Sequence, residues 1–437
     1  MESLLLALLA TTASAAPSPN SQPPAIPLTY NYGGYPRIQA DIAWGTPPQK
    51  TIPTIFDTGS SGFWVYGPNA TINDGSQYHY TVGPCNKSVH NFYNWPASKT
   101  HAKLDTKHGY AFAYGGNGEI VQAPSSINDS FSFGNTKWPA LSNNEVALAN
   151  WTVVAQGDAG CKIPESDFDH SILGLAPISP ATSGPSFRGN LLSQGKTKSS
   201  SFSMWFDKPP KSAKGSYQGT AIFGAIPSKS KYSGELVRLK QTPSQGTYVG
   251  YYVSVPKLTA TSITKPGKGH SIGVSDNTVK QCLLDSGTGQ DRLPFSQKQA
   301  LSVTGLIEYD KEASFLAWNG SCDSIPPAAT LNYTFAGATA GKSVTIAVPI
   351  RSYARGEFDQ IPGVDTSKVC GLSLSLDEYG DCTFGAPFFT AAFAVFNDEK
   401  KQVALAQGGV STGAADGPGG LGPVTVIGAG QDVPGSV

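Results

Sequence analysis

Short apolar runs separated by glycine and proline set the rhythm of this 437-residue chain. Val, Ile, Thr, Phe and Tyr recur in those runs, and 49 glycines and 33 prolines supply turns between them, a pattern that predicts an all-β protein. One strand is expected just after Tyr35-Pro36, through Ile38-Gln39-Ala40-Asp41-Ile42-Ala43-Trp44, with a turn at Gly45-Thr46-Pro47-Pro48. The next runs from Thr51 to Phe56 and delivers Asp57. The strongest internal break is the polar segment Pro209-Pro210-Lys211-Ser212-Ala213-Lys214-Gly215, where a boundary between two lobes is expected. Beyond it, Thr220 to Gly224, Phe393 to Phe396 and Gln402 to Ala406 read as strands.

The ends read differently. Leu4 to Ala10 is apolar, Ala13-Ser14-Ala15 offers small residues for cleavage, and Pro17 and Pro19 stop a helix. That combination predicts a secretory leader, although its first residues carry Glu2 and no Lys or Arg. No later stretch is apolar and long enough to span a bilayer. The Pro/Ser/Asn-rich stretch Pro17 to Pro27 is expected to be extended and mobile, and everything from Gly408 onward to be a Gly-rich disordered tail without an anchor signal. The expected organisation is a signal peptide at 1–15, a short mobile segment at 16–30, an N-terminal lobe at 31–209, a C-terminal lobe at 210–407 and a tail at 408–437.

Charge adds an exclusion. Lys plus Arg equals Asp plus Glu at 31 each, so neither nucleic acid nor an anionic membrane surface is indicated as a partner. Six cysteines without CxxC spacing favour disulfides over zinc: Cys85 and Cys161 in the first half, Cys282, Cys322, Cys370 and Cys382 in the second. Spacing alone leaves their connectivity open. Six sequons, at Asn69, Asn86, Asn128, Asn150, Asn319 and Asn332, fit an extracellular glycoprotein.

The candidate chemistry lies in two strings that echo each other, Ile55-Phe56-Asp57-Thr58-Gly59-Ser60 and Leu283-Leu284-Asp285-Ser286-Gly287-Thr288. Ile172-Leu173-Gly174 follows the first, and Thr383-Phe384-Gly385 the second, each about a hundred residues on. Such a repeat predicts a duplicated lobe that brings two carboxylates face to face. Two carboxylates sharing a proton can hydrolyse a peptide bond: the ionised one deprotonates a water while the protonated one hydrogen-bonds the scissile carbonyl. Like charges in contact titrate in two separated steps, for which the pepsin dyad is the standing example. Gly59 and Gly287 allow the tight turn, Ser60 and Thr288 can orient the carboxylates, and the hydroxyls of Thr58 and Ser286 can bond across the lobe junction.

On these motifs the chain resembles a fungal secreted member of the pepsin family, from about Tyr35 to Ala406. Gly45-Thr46-Pro47-Pro48-Gln49, Ser61 through Trp64-Val65, Phe168-Asp169 leading into Ile172-Leu173-Gly174-Leu175, and Lys231-Tyr232-Ser233-Gly234 also match. The resemblance implies a bilobal all-β fold of two barrel-like lobes with a cleft between them, a monomer, and an endopeptidase acting on proteins or peptides at acidic pH without metal or cofactor. It implies Asp57 and Asp285 as the catalytic pair, Tyr114 followed by Gly115 as a flap over substrate, Trp64 as the tyrosine's partner, and a Cys322–Cys370 disulfide. If Ile55 and Phe112 line the cleft, bulky apolar side chains are preferred around the scissile bond.

Departures from the family pattern also show. Gly289-Gln290 replaces a Ser/Thr-Leu pair, Thr383 stands where a larger apolar residue is usual, and the flap lacks an acidic residue. Cys282 and Cys382 fall on strands expected to be neighbours behind Asp285, which suggests a disulfide between them. Only a short stretch separates a cleavage after Ala15 from the start of the resemblance, so the inhibitory prosegment usual in the family is expected to be missing. That feature and Gly289-Gln290 motivate a rival reading, a catalytically weak or inactive binding protein or inhibitor; the two Asp motifs oppose it. A structural cell-wall glycoprotein rests only on the sequons and the tail. Gly409-Val410-Ser411-Thr412-Gly413 and Asp169-His170-Ser171 mimic hydrolase motifs by chance: no helix is expected after the first, and adjacent strand residues in the second point to opposite faces.

Overall fold

The computed structural model describes residues 22–31, 36–74, 85–115, 118–133, 137–154, 170–178, 184–212, 216–243, 249–265, 267–310, 315–359, 368–413 and 418–437. They form an all-β, bilobal, pepsin-like fold in which helices are few and short.

The expected strand at Ile38 to Trp44 is Arg37–Trp44, and that at Thr51 to Phe56 is Ile52–Asp57. They pair antiparallel, with Gln39 opposite Ile55. In both, alternate residues are buried, the period of a sheet with one face in the core. The first lobe's core is aromatic: Trp44 packs within ring-contact distance of Phe63, Tyr93 and Phe131.

The largest sheet does not stop at the lobe boundary. Its path runs from Ser233–Lys240 through Gln402–Gln407, Ala392–Asn397, Phe202–Phe206, Ser216–Phe223, Ala25–Asn31 and Arg37–Trp44 to Ile52–Asp57, and then into the first lobe. Strands from the beginning, middle and end of the chain therefore interleave in one platform beneath both lobes. The segment around Pro209 joins two adjacent antiparallel strands of it, Phe202–Phe206 and Ser216–Phe223. The second lobe adds an eight-stranded sheet, which includes Gln281–Leu284, Thr383–Phe384 and Asp291–Arg292, and a four-stranded one.

Two terminal expectations are corrected. Ala25–Asn31, placed within a mobile segment ending at residue 30, is a strand paired along its whole length with Ser216–Phe223. Ile26, Leu28 and Tyr30 alternate into the core, a period of two that outweighs the local proline content; the rest of that segment up to residue 21, with the leader, lies outside the described residues. The tail expected to be disordered is also packed. Val424–Val426 pairs antiparallel with Ala225–Pro227, Leu421, Ile427 and Val433 are buried, and Arg238 N donates to Val437 O at 2.9 Å. A few well-spaced apolar residues hold a Gly-rich segment against a preformed surface, so its low average hydrophobicity misled.

Candidate active site

Each aspartate leaves the sheet at the end of a strand flanked by a parallel neighbour. Ile52–Asp57 lies parallel to Ser171–Gly174, with Gly174 opposite Asp57. Gln281–Leu284 lies parallel to Thr383–Phe384, with Gly385 next in line. The neighbours grip the loops: Leu175 N donates to Asp57 O at 2.7 Å, and Asp285 N donates to Phe384 O at 2.9 Å. Only glycine fits behind the first loop, because a Cβ on Gly174 would stand 2.5 Å from the backbone N and O of Gly62. One on Gly385 would stand 2.6 Å from Thr288 O.

The loops face each other. A Cβ on Gly59 would collide with the Asp285 carboxyl, and one on Gly287 with that of Asp57, so each glycine lies against the opposite acid. Gly59 N donates to Asp57 Oδ1 at 2.8 Å, and Gly287 N to Asp285 Oδ1 at 2.9 Å. The Ser60 hydroxyl donates to Asp57 Oδ2, and Thr288 Oγ1 to Asp285 Oδ2 at 2.7 Å. Burial raises the Asp57 pKa well above the ordinary carboxyl range and the Asp285 charge pushes the same way, while the bonds from Ser60 and Gly59 pull it down.

Behind the acids, four hydrogen bonds cross the junction. Thr58 N donates to Ser286 Oγ at 3.0 Å and Thr58 Oγ1 to Leu284 O at 2.8 Å. Ser286 N donates to Thr58 Oγ1 at 2.9 Å and Ser286 Oγ to Phe56 O at 2.6 Å. All are buried.

Tyr114 ends the strand Tyr110–Tyr114, which forms a hairpin with Glu119–Ala123; residues 116 and 117 at its tip lie outside the described set. Trp64 Nε1 donates to the Tyr114 hydroxyl at 2.7 Å, which draws the hairpin over the Asp57 loop. Phe112 is buried against Gly62 and Gly184, and Ile55 and Tyr114 pack half-buried on the same apolar cluster as Trp64. Gly115 has open space at the position of a Cβ.

Two groups behind the loops went unnoticed in the sequence. Arg188 pairs with Asp398 at 2.9 Å and donates to Ala176 O, while the Tyr251 hydroxyl lies 2.6 Å from Asp398 Oδ1 and 3.1 Å from Leu175 O. This network pins the segment behind Asp57. Asp291, fully buried, holds the segment behind Asp285 by accepting from Gly385 N at 2.7 Å. The available signal was positional: Asp291 is the sixth residue after Asp285, where the first copy has Phe63.

Among the described residues there are two disulfides, Cys282–Cys382 and Cys322–Cys370, the former joining the strands that flank the Asp285 loop. Cys161, the side chain of Cys85, and Phe168-Asp169 lie outside the described residues. Asn69, Asn86 and Asn150 are exposed, and Asn128, Asn319 and Asn332 half-buried. Ser411 is buried and donates to Asp207 Oδ1 at 2.8 Å, and Ser171 Oγ lies 3.0 Å from Thr54 Oγ1, so neither serine stands as a nucleophile. Among the described residues no group of three His, Cys, Asp or Glu side chains is placed to hold a metal ion, and no helix is long and apolar enough to cross a membrane.

Comparison with known proteins gives a family and several relatives. The family described as eukaryotic aspartyl protease matches residues 38–408. The chain is 27% identical over 368 residues to cathepsin D of Dictyostelium discoideum, covering 84% of this chain and 82% of that one. It is 22% identical over 366 residues to the probable aspartic-type endopeptidase opsB of Aspergillus oryzae, covering 84% and 67%. To secreted aspartic protease 4 of Candida albicans it is 24% identical over 377 residues, covering 84% and 75%.

Proposed function

The chain belongs to the eukaryotic aspartyl protease family and is an aspartic-type endopeptidase; from that premise we propose that Asp57 and Asp285 are its catalytic pair, acting at acidic pH. The observation that carries this reading is the facing arrangement of two similarly supported carboxyls, each with a glycine N–H and a hydroxyl on its own oxygens. The pair holds one proton between them. Its ionised member takes a proton from water as the water oxygen attacks the scissile carbonyl carbon, and its neutral member hydrogen-bonds the carbonyl oxygen. Collapse of the tetrahedral intermediate breaks the C–N bond as the nitrogen takes the proton that the first carboxylate received from water, leaving an acid, an amine and the pair again with one proton. Burial of Asp57 beside Asp285 raises its proton affinity, so the pair keeps its shared proton further up in pH than an ordinary carboxyl would.

The Tyr114 hairpin closes over bound peptide and excludes water. The apolar cluster of Phe112, Trp64 and Ile55 beside the Asp57 loop supports a preference for bulky apolar side chains at the scissile bond. Secretion through a leader at 1–15, sequon glycosylation, a monomeric state, and a lobe division near Pro209 complete the reading.

The test is cleavage of a denatured protein from about pH 3 to 7, the range where a shared-proton pair titrates. Wild type is expected to be active at the acid end, and Asp57→Asn and Asp285→Asn each to abolish that activity. A folded wild type without activity at any pH, or an active Asn variant, refutes the assignment.

A further inference from the structure

The two catalytic loops match in residue type through the third residue after each aspartate, and at the sixth they differ in what lies beneath them. Phe63 there fills the first lobe's core, whereas Asp291 sets a carboxyl at a fully buried position under the second loop. The hydrogen bonding changes with it. Gly174 N–H donates to the backbone carbonyl of Gly62 at 2.9 Å, but Gly385 N–H donates to Asp291 Oδ1 at 2.7 Å. The residues flanking Gly385 hold the Asp285 loop: Phe384 O accepts from Asp285 N at 2.9 Å, and Ala386 N donates to Thr288 O at 2.8 Å. Thr288 in turn donates to the Asp285 carboxyl.

The surroundings of Asp291 are polar but uncharged. The Tyr353 hydroxyl donates to Oδ2 at 2.8 Å and lies 3.1 Å from the Tyr333 hydroxyl, and the Phe388 N–H also reaches the carboxyl. Tyr30 faces the site, with Tyr217 behind it. The nearby cations are directed elsewhere. Arg292 reaches Glu378 and Asp381, the Arg351 guanidinium donates to the carbonyls of Ile325, Lys211 and Asp323, and Lys368 is exposed at the other end of the strand Lys368–Ser375. Among the described residues Asp291 makes no ion pair. Burial pushes its carboxyl up to about 8, against the opposing pull of the bonds from Tyr353, Gly385 and Phe388.

We propose that Asp291 is a positioning residue for hydrolysis: buried under the second loop it fixes Gly385 and thereby the Asp285 loop, and its ionisation as the medium leaves acid destabilises that segment, because burying the charge costs more than its stronger hydrogen bonds return. The inference rests on Asp285 being one of the catalytic pair. An acid whose folded-state pKa is raised binds more protons folded than unfolded, so stability is full below the unfolded value. It falls as pH rises from about 4 towards about 8. Ionisation puts a charge without an ion-pair partner among the described residues into the core under the Asp285 loop, and admitting water there displaces the strand Thr383–Phe384.

The test compares wild type, Asp285→Asn, Asp291→Asn and Asp291→Ala by kcat and KM on a peptide substrate and by Tm across pH. Asn keeps an Oδ1 acceptor for Gly385 and puts an amide NH2 where Oδ2 accepts from Tyr353, so the Tyr353 hydroxyl turns to donate to Tyr333 and accepts from the amide. Asp291→Asn is expected to keep kcat at acid pH within about threefold, and Asp291→Ala to lower it about a hundredfold with KM within about twofold. The Asn variant's Tm should lose much of the decline wild type shows between about pH 4 and 8; Asp57 contributes to both proteins, so the difference isolates Asp291. Superimposable Tm–pH curves for wild type and Asp291→Asn, or an Ala variant with wild-type kcat, overturn the proposal while a dead Asp285→Asn leaves the catalytic assignment standing. An active Asp285→Asn overturns both.

Discussion

The four hydrogen bonds that Thr58 and Ser286 make across the lobe junction make it testable with one atom. Ser286→Ala deletes the oxygen that accepts from Thr58 N and donates to Phe56 O. Both partners are buried, so the variant strands an N–H and a carbonyl, each at about 1–3 kcal/mol. Their sum spans about 2–6 kcal/mol; partial hydration of the opened junction places the expected loss near the lower half, about 3 kcal/mol. Thr58→Ser is the control, since it keeps every hydroxyl bond and removes one methyl group, costing about 1 kcal/mol. Urea unfolding at fixed pH reads the stability. Activity reads the second consequence: the bonds hold both carboxyl loops, and a shift of about 1 Å between reacting groups can cost about a hundredfold, so kcat should fall at least about tenfold. A stability loss below about 0.5 kcal/mol, the range of an inert surface change, refutes the claim that the junction is held here. Full activity in a destabilised variant would separate the bonds from the alignment of the acids.

Two further predictions concern the surroundings of the pair. Trp64→Phe keeps the buried ring and removes the donor to Tyr114, so kcat/KM should fall about three- to tenfold, the value of one hydrogen bond; Tyr114→Phe should cost about the same, and the double variant no more than either, which steady-state kinetics checks. Gly174→Ala forces a Cβ into the Gly62 backbone, and thermal unfolding should show a loss of about 3 kcal/mol with activity falling in parallel; a wild-type Tm would contradict the packing argument.

What could be read without coordinates was local and repeated. Asp57 and Asp285, their glycines and their supporting hydroxyls stand in two matched strings, and a turn flanked by strand pattern carries its geometry within a few residues. The Trp64–Tyr114 partnership and the Cys322–Cys370 disulfide followed from family resemblance, and Cys282–Cys382 from the expectation that their strands are neighbours behind Asp285. Ala25–Asn31 was hidden because its partners in Ser216–Phe223 lie far along the chain. The tail was hidden because Leu421, Ile427 and Val433 contribute little to a window average while each fills a specific slot. Asp291 was hidden because an aspartate before an arginine after a Gly-rich turn looks like a solvated loop, and only the fold reveals that it points inward.

The interleaved platform governs how this molecule can be assembled. Ala25 pairs with Ile222 and Phe202 with Phe396, so the platform closes through contacts separated by nearly half the chain. Loop closure over such distances is entropically costly before any contact rewards it, which makes the high-contact-order platform the slow step of folding. Severed at residue 210, the first half would keep Phe202–Phe206 without its neighbours on either side, and the second would leave Ala392–Asn397 with one edge bare. Both strands are buried throughout, so each fragment would present an apolar edge ready to pair with any passing strand, its own copies included.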